Sequence, residues 1–203
     1  MKKISTLIFL LLVISNSFAQ EINLKTFGFS FDEPAKWHKK GEDEFMENVK
    51  KFSWKEGQIK SMIQSHKGSI TVCAFYKYHQ NKVNGIIPTI TLTLSHNPTE
   101  NYAEFKQMIS YGQEQYKTVL NNFKTTGAPV EIIISGRKAL LYKSSYTVPY
   151  KDKNILVSTQ MLYIPKGDSF YTFNFIEDKN KENNSDVFEK LIKSIKLTEV
   201  PKN

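Results

Sequence analysis

The chain has 203 residues, of which 28 are basic and 20 acidic, giving a net charge of +8. A length in this range supports a single core that buries roughly 70% of the unfolded surface, and with Cys73 as the only cysteine no intramolecular disulfide can form, which excludes the disulfide-stapled scaffolds. Arg137 is the single arginine, whereas planar, bidentate recognition of phosphates and base edges favours arginine over lysine, so nucleic-acid binding is set aside.

The first predicted element is an export signal. Lys2 and Lys3 give a positive start, Leu7 to Ile14 an apolar stretch, and Ser17-Phe18-Ala19 a small-x-small cleavage site before Gln20. From Ile4 to Ile14 the run is 11 residues, against the roughly 20 that a helix needs to cross a bilayer. Residues 1–19 are therefore read as a cleaved signal peptide and residues 20–203 as a single α+β domain with 26 basic and 20 acidic residues, a net +6. No cysteine stands just after the cleavage site and no second apolar segment appears, so neither a lipid anchor nor a transmembrane segment is expected. The chain stops just after its last helix, which points to the periplasm over the medium.

In the mature chain, Ile22 to Phe31 reads as one extended segment, with Phe27, Phe29 and Phe31 alternating with Gly28 and Ser30 until Pro34. Phe45, Met46, Val49 and Phe52 fall at helical spacing between Glu42 and Phe52, with acidic residues first and lysines last, an order that suits the helix dipole. Residues 54–66 stay undecided, because Trp54, Gln58 and Met62 permit a helix that Gly57 opposes. Ile70 to Tyr78 alternates with apolar character on both faces, as in a central strand, and holds Cys73 in the core. Ile90, Leu92 and Leu94 form one face of the next strand; Thr89, Thr91, Thr93 and Ser95 form the other, read as the polar face of a β-branched strand.

Thr99 and Glu100 open the longest predicted helix, whose stripe runs through Phe105, Met108, Ile109, Gly112, Tyr116, Val119, Leu120 and Phe123 over six turns. Three strands follow, Val130 to Ser135, Lys138 to Val148 and Ile155 to Ile164, with Gly136 and Arg137 in the first turn. Pro165-Lys166-Gly167-Asp168 turns the chain into Phe170 to Ile176. After a polar loop from Asp178 to Asp186, a short helix carries Val187, Phe188, Leu191, Ile192 and Ile195.

No motif supplies chemistry. His38, His66, His79 and His96 are scattered at spacings that put no two on one helical or strand face, zinc spacings are absent, and there is no nucleophile elbow, Walker loop or dinucleotide fingerprint. No catalytic, cofactor-binding or metal-binding residue and no cofactor are assigned. A site assembled from distant strands, such as His79 with a serine and an aspartate, would be invisible at this level. Two exposed groups remain as candidate contact surfaces: Trp37 with His38, and Tyr142, Tyr146 and Tyr150 with Lys143 and Lys151. Each is set against simple packing, over the sheet end for Trp37 and across strands for the tyrosines.

The order of parts resembles the PsbP-like fold group. The resemblance is carried by Phe29-Ser30-Phe31 with Pro34 and Trp37, a long helix, Glu131 to Ala139 reading EIIISGRKA, two hairpin strands and a closing Ser194-Ile195-Lys196. That group includes the extrinsic photosystem II protein, a nuclear import factor that binds a small GTPase, and many exported bacterial proteins. The resemblance covers about residues 27–198 and implies an α+β fold: an antiparallel sheet of about six to seven strands flanked by helices on both faces. It implies noncatalytic duties, and it transfers no site residue because the group shares a fold more than a site. The expectation is an exported binding or assembly protein of the cell envelope whose partner is another protein or envelope component. A periplasmic hydrolase is the alternative, and lysine contact with anionic lipid or cell-wall polymer ranks third.

Overall fold

The computed structural model describes residues 20–24, 27–40, 68–79 and 84–198. The signal peptide over residues 1–19, the helix expected over residues 42–52 and the undecided segment 54–66 lie outside these residues. In chain order the described elements are β1 (Glu21–Leu24), β2 (Phe29–Asp32), β3 (His38–Lys40), β4 (Ser69–Tyr76), β5 (Thr89–His96), α1 (Tyr102–Val119), β6 (Lys124–Thr125), β7 (Val130–Ile134), β8 (Arg137–Tyr150), β9 (Lys153–Lys166), β10 (Ser169–Asp178), α2 (Ser185–Ser194) and β11 (Lys196–Leu197).

Eight strands form one antiparallel sheet in the order β3-β4-β5-β10-β9-β8-β6, with β7 pairing on the same outer side of β8 as β6. The sheet thus exceeds the expected six to seven strands, because β3 and β6 are too short and too lysine-rich to show a period-two pattern in sequence. Its centre is a meander from β7 to β10 closed by two-residue turns, where Ile134 pairs with Arg137, Tyr150 with Lys153, and Lys166 with Ser169. In the first of these turns Ser135 and Gly136 take φ values of 47° and 80°, the left-handed backbone that matches the twist of a hairpin.

The opening segment corrects a sequence expectation. Ile22 to Phe31 is not one strand: β1 and β2 form an antiparallel pair, and Gly28, at φ 61°, sits in the connection between them. With β11 they make a second sheet of three strands, ordered β1-β2-β11. Phe29, Ser30 and Phe31 are consecutive and all buried, so β2 is covered on both faces. Tyr171 donates a hydrogen bond to the Phe27 carbonyl, and Lys166 Nζ donates to the carbonyls of Phe27 and Gly28, which ties the connection to the large sheet.

Side chains of β10 divide by parity, as a pleated strand requires. Tyr171, Phe173 and Phe175 join the main core with Phe29, Phe31, Phe75, Leu92, Leu162, Phe188 and Leu191. Phe170 instead packs against a second cluster formed by Phe105 and Ile109 of α1 with Leu140, Tyr142 and Tyr163. The small sheet and α2 therefore contribute to the first cluster and α1 to the second. The main core is largely aromatic: the Phe29 ring lies 4.6 Å from Tyr171 and 5.6 Å from Phe173, and Phe175 lies 4.6 Å from Phe188.

The long helix is shorter than its apolar stripe. It is capped at Asn101 and ends at Val119, because Leu120 turns to extended backbone at ψ 129°. Its buried residues are Phe105, Ile109 and Gln113, whereas Val119 is 72% exposed. Gln113 takes the place the stripe gave to Gly112: its amide nitrogen donates to the Tyr163 hydroxyl at 2.7 Å inside the helix–sheet contact, while its Oε1 is buried without a hydrogen-bond partner among the described residues. Phe123 is buried beyond the helix, its ring 5.7 Å from Tyr116.

Candidate binding face

At the end of β5 the chain is held by one asparagine. The Asn97 N–H donates to the Asp168 carbonyl at 2.8 Å and its side-chain amide to the Gly167 carbonyl at 2.9 Å, while its Oδ1 accepts from the Thr99 hydroxyl at 2.7 Å. The connector from 97 to 101 is thereby fastened to the β9–β10 turn. Asn101 then starts α1: its Oδ1 accepts from Glu104 N–H at 3.0 Å, and Glu104 Oε2 accepts from Glu100 N–H at 3.0 Å. These bonds satisfy Glu104 N–H, one of the orphan donors of the first turn, and Glu100 N–H just before the cap.

Between this connector and the β7–β8 hairpin lies a cleft of about 310 Å³, with Asn97, Thr99, Glu100, Asn101, Tyr102 and Phe105 on one side and Arg137, Lys138, Pro165 and Gly167 on the other. The hairpin turn places the two cations side by side at its tip. Lys138 Nζ lies 5.4 Å from the Tyr102 ring centroid, within cation–π range, and the Tyr102 hydroxyl donates to the Ala139 carbonyl at 3.4 Å. Burial, with a smaller contribution from Glu131, raises the Tyr102 phenol above its ordinary value. Beside it Lys106 and Glu131 pair at 2.6 Å. The hydrogen bond from Lys106 lowers the Glu131 carboxyl and raises the Lys106 ammonium.

This neighbourhood also shows apolar surface. Ile133 is 65% and Val130 51% exposed, and both stand on β7, which leads into the same hairpin. Cations, a tyrosine and the exposed Ile133 side chain opposite Lys138 suit contact with a partner. The cleft contains no nucleophile paired with a base.

The sequence candidates fall elsewhere. Trp37 is buried and packs edge-on against Phe188 at 6.3 Å, the packing reading. Tyr142 is not on an exposed face: it is buried against α1, where its hydroxyl meets Ser110 Oγ at 2.7 Å. Tyr146 is partly buried with its phenol raised by burial, and Tyr150 donates to Asn84 Oδ1 at 3.4 Å with Lys151 over its ring. His96 Nδ1 lies 3.0 Å from the Asp168 carbonyl oxygen, and His66 lies outside the described residues. Spacing alone missed one association: His38 and His79 stack with ring centroids 3.8 Å apart, because pairing of β3 with β4 joins positions distant in sequence. Both rings are exposed. Among the described residues, no group of three or more His, Cys, Asp or Glu side chains could hold a metal ion.

In the sequence Arg137 reads as a turn residue and Lys138 as the start of a strand. Two adjacent cations that follow an Ile-Ile-Ile run after Ser135-Gly136 are the available signal, and only the folded hairpin reveals that they rim a cleft.

Comparison with solved structures identifies the fold. The chain is similar to LpqN, involved in cell envelope biogenesis of Mycobacterium tuberculosis, at 11% identity and TM-score 0.50, covering 91% of this chain and 88% of that one. It is similar to cyanobacterial PsbP (CyanoP) of Synechocystis sp. PCC 6803 at 8% identity and TM-score 0.51, covering 91% and 95% respectively. A Bacteroides thetaiotaomicron protein matches at 10% identity and TM-score 0.50 over 90% of this chain and 49% of its own length, so this chain spans about half of that protein. No family model and no curated protein sequence matches. The chain has a PsbP-like α+β fold built on a large antiparallel sheet.

Proposed function

We propose that this chain is an exported, noncatalytic protein of the cell envelope that binds or helps assemble another envelope component through the β7–β8 hairpin tip and the adjoining cleft. One observation carries the reading: exposed Ile133 is the cross-strand partner of Lys138, which with Arg137 and Tyr102 lines the cleft. The fold shared with LpqN, an envelope biogenesis protein, is compatible with such a role. No helix among the described residues is long and apolar enough to cross a membrane. A photo-cross-linker placed at Lys138 in envelope-expressing cells is expected to give discrete protein adducts, and one at exposed Lys190 on α2 none. Equal labelling from both positions, or none from Lys138, overturns the reading.

Export itself has a direct check. Intact-mass measurement of protein recovered from the envelope is expected to show a chain beginning at Gln20, and Ala19→Tyr is expected to block that processing, because the cleavage site requires small residues. An unprocessed chain that starts at Met1 in cells would remove the export proposal.

The hydrolase alternative draws on the His38–His79 contact. Turnover of an ester or phosphoester panel that is lost in His79→Ala would establish it in place of binding.

A further inference from the structure

The β7–β8 turn fixes the direction of every backbone group on β7. In a two-residue hairpin the residues flanking the turn exchange both hydrogen bonds, and alternate residues repeat that orientation. Ile134 pairs with Arg137, Ile132 with Ala139 and Val130 with Leu141, so these three β7 residues spend their N–H and C=O groups on β8. Glu131 and Ile133 therefore direct theirs outward. Among the described residues β8 is the only strand paired with β7, and no turn or loop backbone bond reaches Glu131 or Ile133.

Other edges of this chain carry the usual protections. β3 is three residues with Lys39 and Lys40, β6 is Lys124-Thr125, β11 is Lys196-Leu197, and β1, without lysine, is four residues with Glu21; short length and charge both discourage pairing with another chain. β7 is longer. It reads Val-Glu-Ile-Ile-Ile, pairs without a register shift and contains no proline, and its one charge, Glu131, is already held by Lys106 at 2.6 Å.

We infer that the outer edge of β7 accepts an extended, acidic segment of a partner protein as an added strand. The inference rests on the binding reading above and names its mode. Backbone bonds to Glu131 and Ile133 supply the register, and alternate apolar side chains meet Ile133 or Val130. Charge selects the occupant: Lys138 and Arg137 stand on β8 behind Ile133 and Ile134, on opposite faces of the sheet, so a glutamate on either face of the incoming strand reaches across β7 toward one cation. A second copy finds none of this. It would bring together two mature chains of net +6, and symmetric pairing about Ile132 would set Glu131 opposite Ile133 instead of opposite a cation.

The test uses the mature protein and an acetylated, amidated heptapeptide that alternates valine with threonine and glutamate. The Glu131 and Ile133 amides are expected to exchange rapidly in the free protein and to become protected as peptide is added. Ile133→Pro removes one outward N–H and no bond to β8, a position where edge strands tolerate proline. It is expected to weaken peptide binding at least about tenfold with the unfolding midpoint retained; Ile133→Thr, which keeps the N–H, is expected to hold binding within about threefold. The inference falls if the two amides are already protected in the free monomer, if wild type does not bind the peptide, or if Ile133→Pro binds as wild type does. Protection that rises with protein concentration alongside a sedimenting dimer would assign the edge to a second copy and also overturn it. Cross-linking from Lys138 in the Ile133→Pro background separates the two readings: adducts that persist leave the binding face standing and remove strand addition.

Discussion

Replacing Phe173 with alanine is expected to lower the free energy of unfolding by about 3–5 kcal/mol. Phe173 is fully buried at the middle of β10, paired with Leu92 on β5 and Leu162 on β9, both themselves fully buried. Its ring meets Phe31 edge-on at 5.4 Å and lies 5.6 Å from Phe29 and 6.1 Å from Phe175. It therefore joins the large sheet to the small one, and truncation removes contacts in both. Neighbouring rings cannot collapse into the space without leaving their own partners, which places this site toward the costly end of the range for buried aromatics. Since whole domains are stable by only about 5–15 kcal/mol, the variant retains a fraction of its folding free energy. Denaturant titration checks this, with Phe173→Leu expected to lose less and Tyr111→Ala, at a side chain 69% exposed on α1, expected to stay within about 0.5 kcal/mol of wild type. A loss under about 1 kcal/mol for Phe173→Ala would mean that the two sheets are not joined at this ring.

Sequence reasoning reached the fold where one periodicity ruled a long segment. β8, β9 and β10 alternate cleanly enough that their central residues could be read between 138 and 176, although each strand runs one or two residues further at both ends and the first turn falls at Ser135-Gly136, not Gly136-Arg137; the order of parts sufficed to reach a PsbP-like resemblance. It failed where tertiary pairing made the element. β3 and β11 become strands only because β4 and β2 lie beside them, and the turn at Gly28 looked like continued alternation because Phe27, Phe29 and Phe31 are all buried on either side of it. Gln113 was passed over because a helix face was drawn from apolar residues alone, although an amide that donates to a tyrosine can be buried there too. The candidate binding face was the least legible part. Ile132 to Ile134 reads the same in a central strand as at an edge, and no local signal says which side of β7 lacks a neighbour.

Raising the pH above 10 is expected to destabilise the protein steeply, through three buried acids that the folded chain cannot ionise. Burial raises the Tyr171 and Tyr163 phenols far above the ordinary value of 10.0, and pushes the Cys73 thiol from 9.0 up to about 12. A group whose pKa is higher in the folded chain than in the unfolded one contributes fully below the unfolded value. Above it the unfolded chain gives up the proton first, so stability falls as pH rises. Cys73 starts this loss near pH 9 and the two phenols join it above pH 10, each costing roughly 1 kcal/mol per pH unit until its folded value is reached. Denaturant midpoints are expected to be level from pH 7 to 9, to decline gently to 10, and to drop sharply beyond. Tyr171→Phe gives the attribution: it loses one hydrogen bond to the Phe27 carbonyl, which Lys166 still serves, and should be about 1 kcal/mol less stable at neutral pH yet decline less steeply above pH 10. A wild-type midpoint that stays level to pH 11.5 would show that these groups are solvated in the folded chain. Burial has the same consequence for chemistry: the thiolate is the nucleophile, and a thiol held near 12 stays protonated at neutral pH, which leaves Cys73 to the core and the contacts of this protein to its surface.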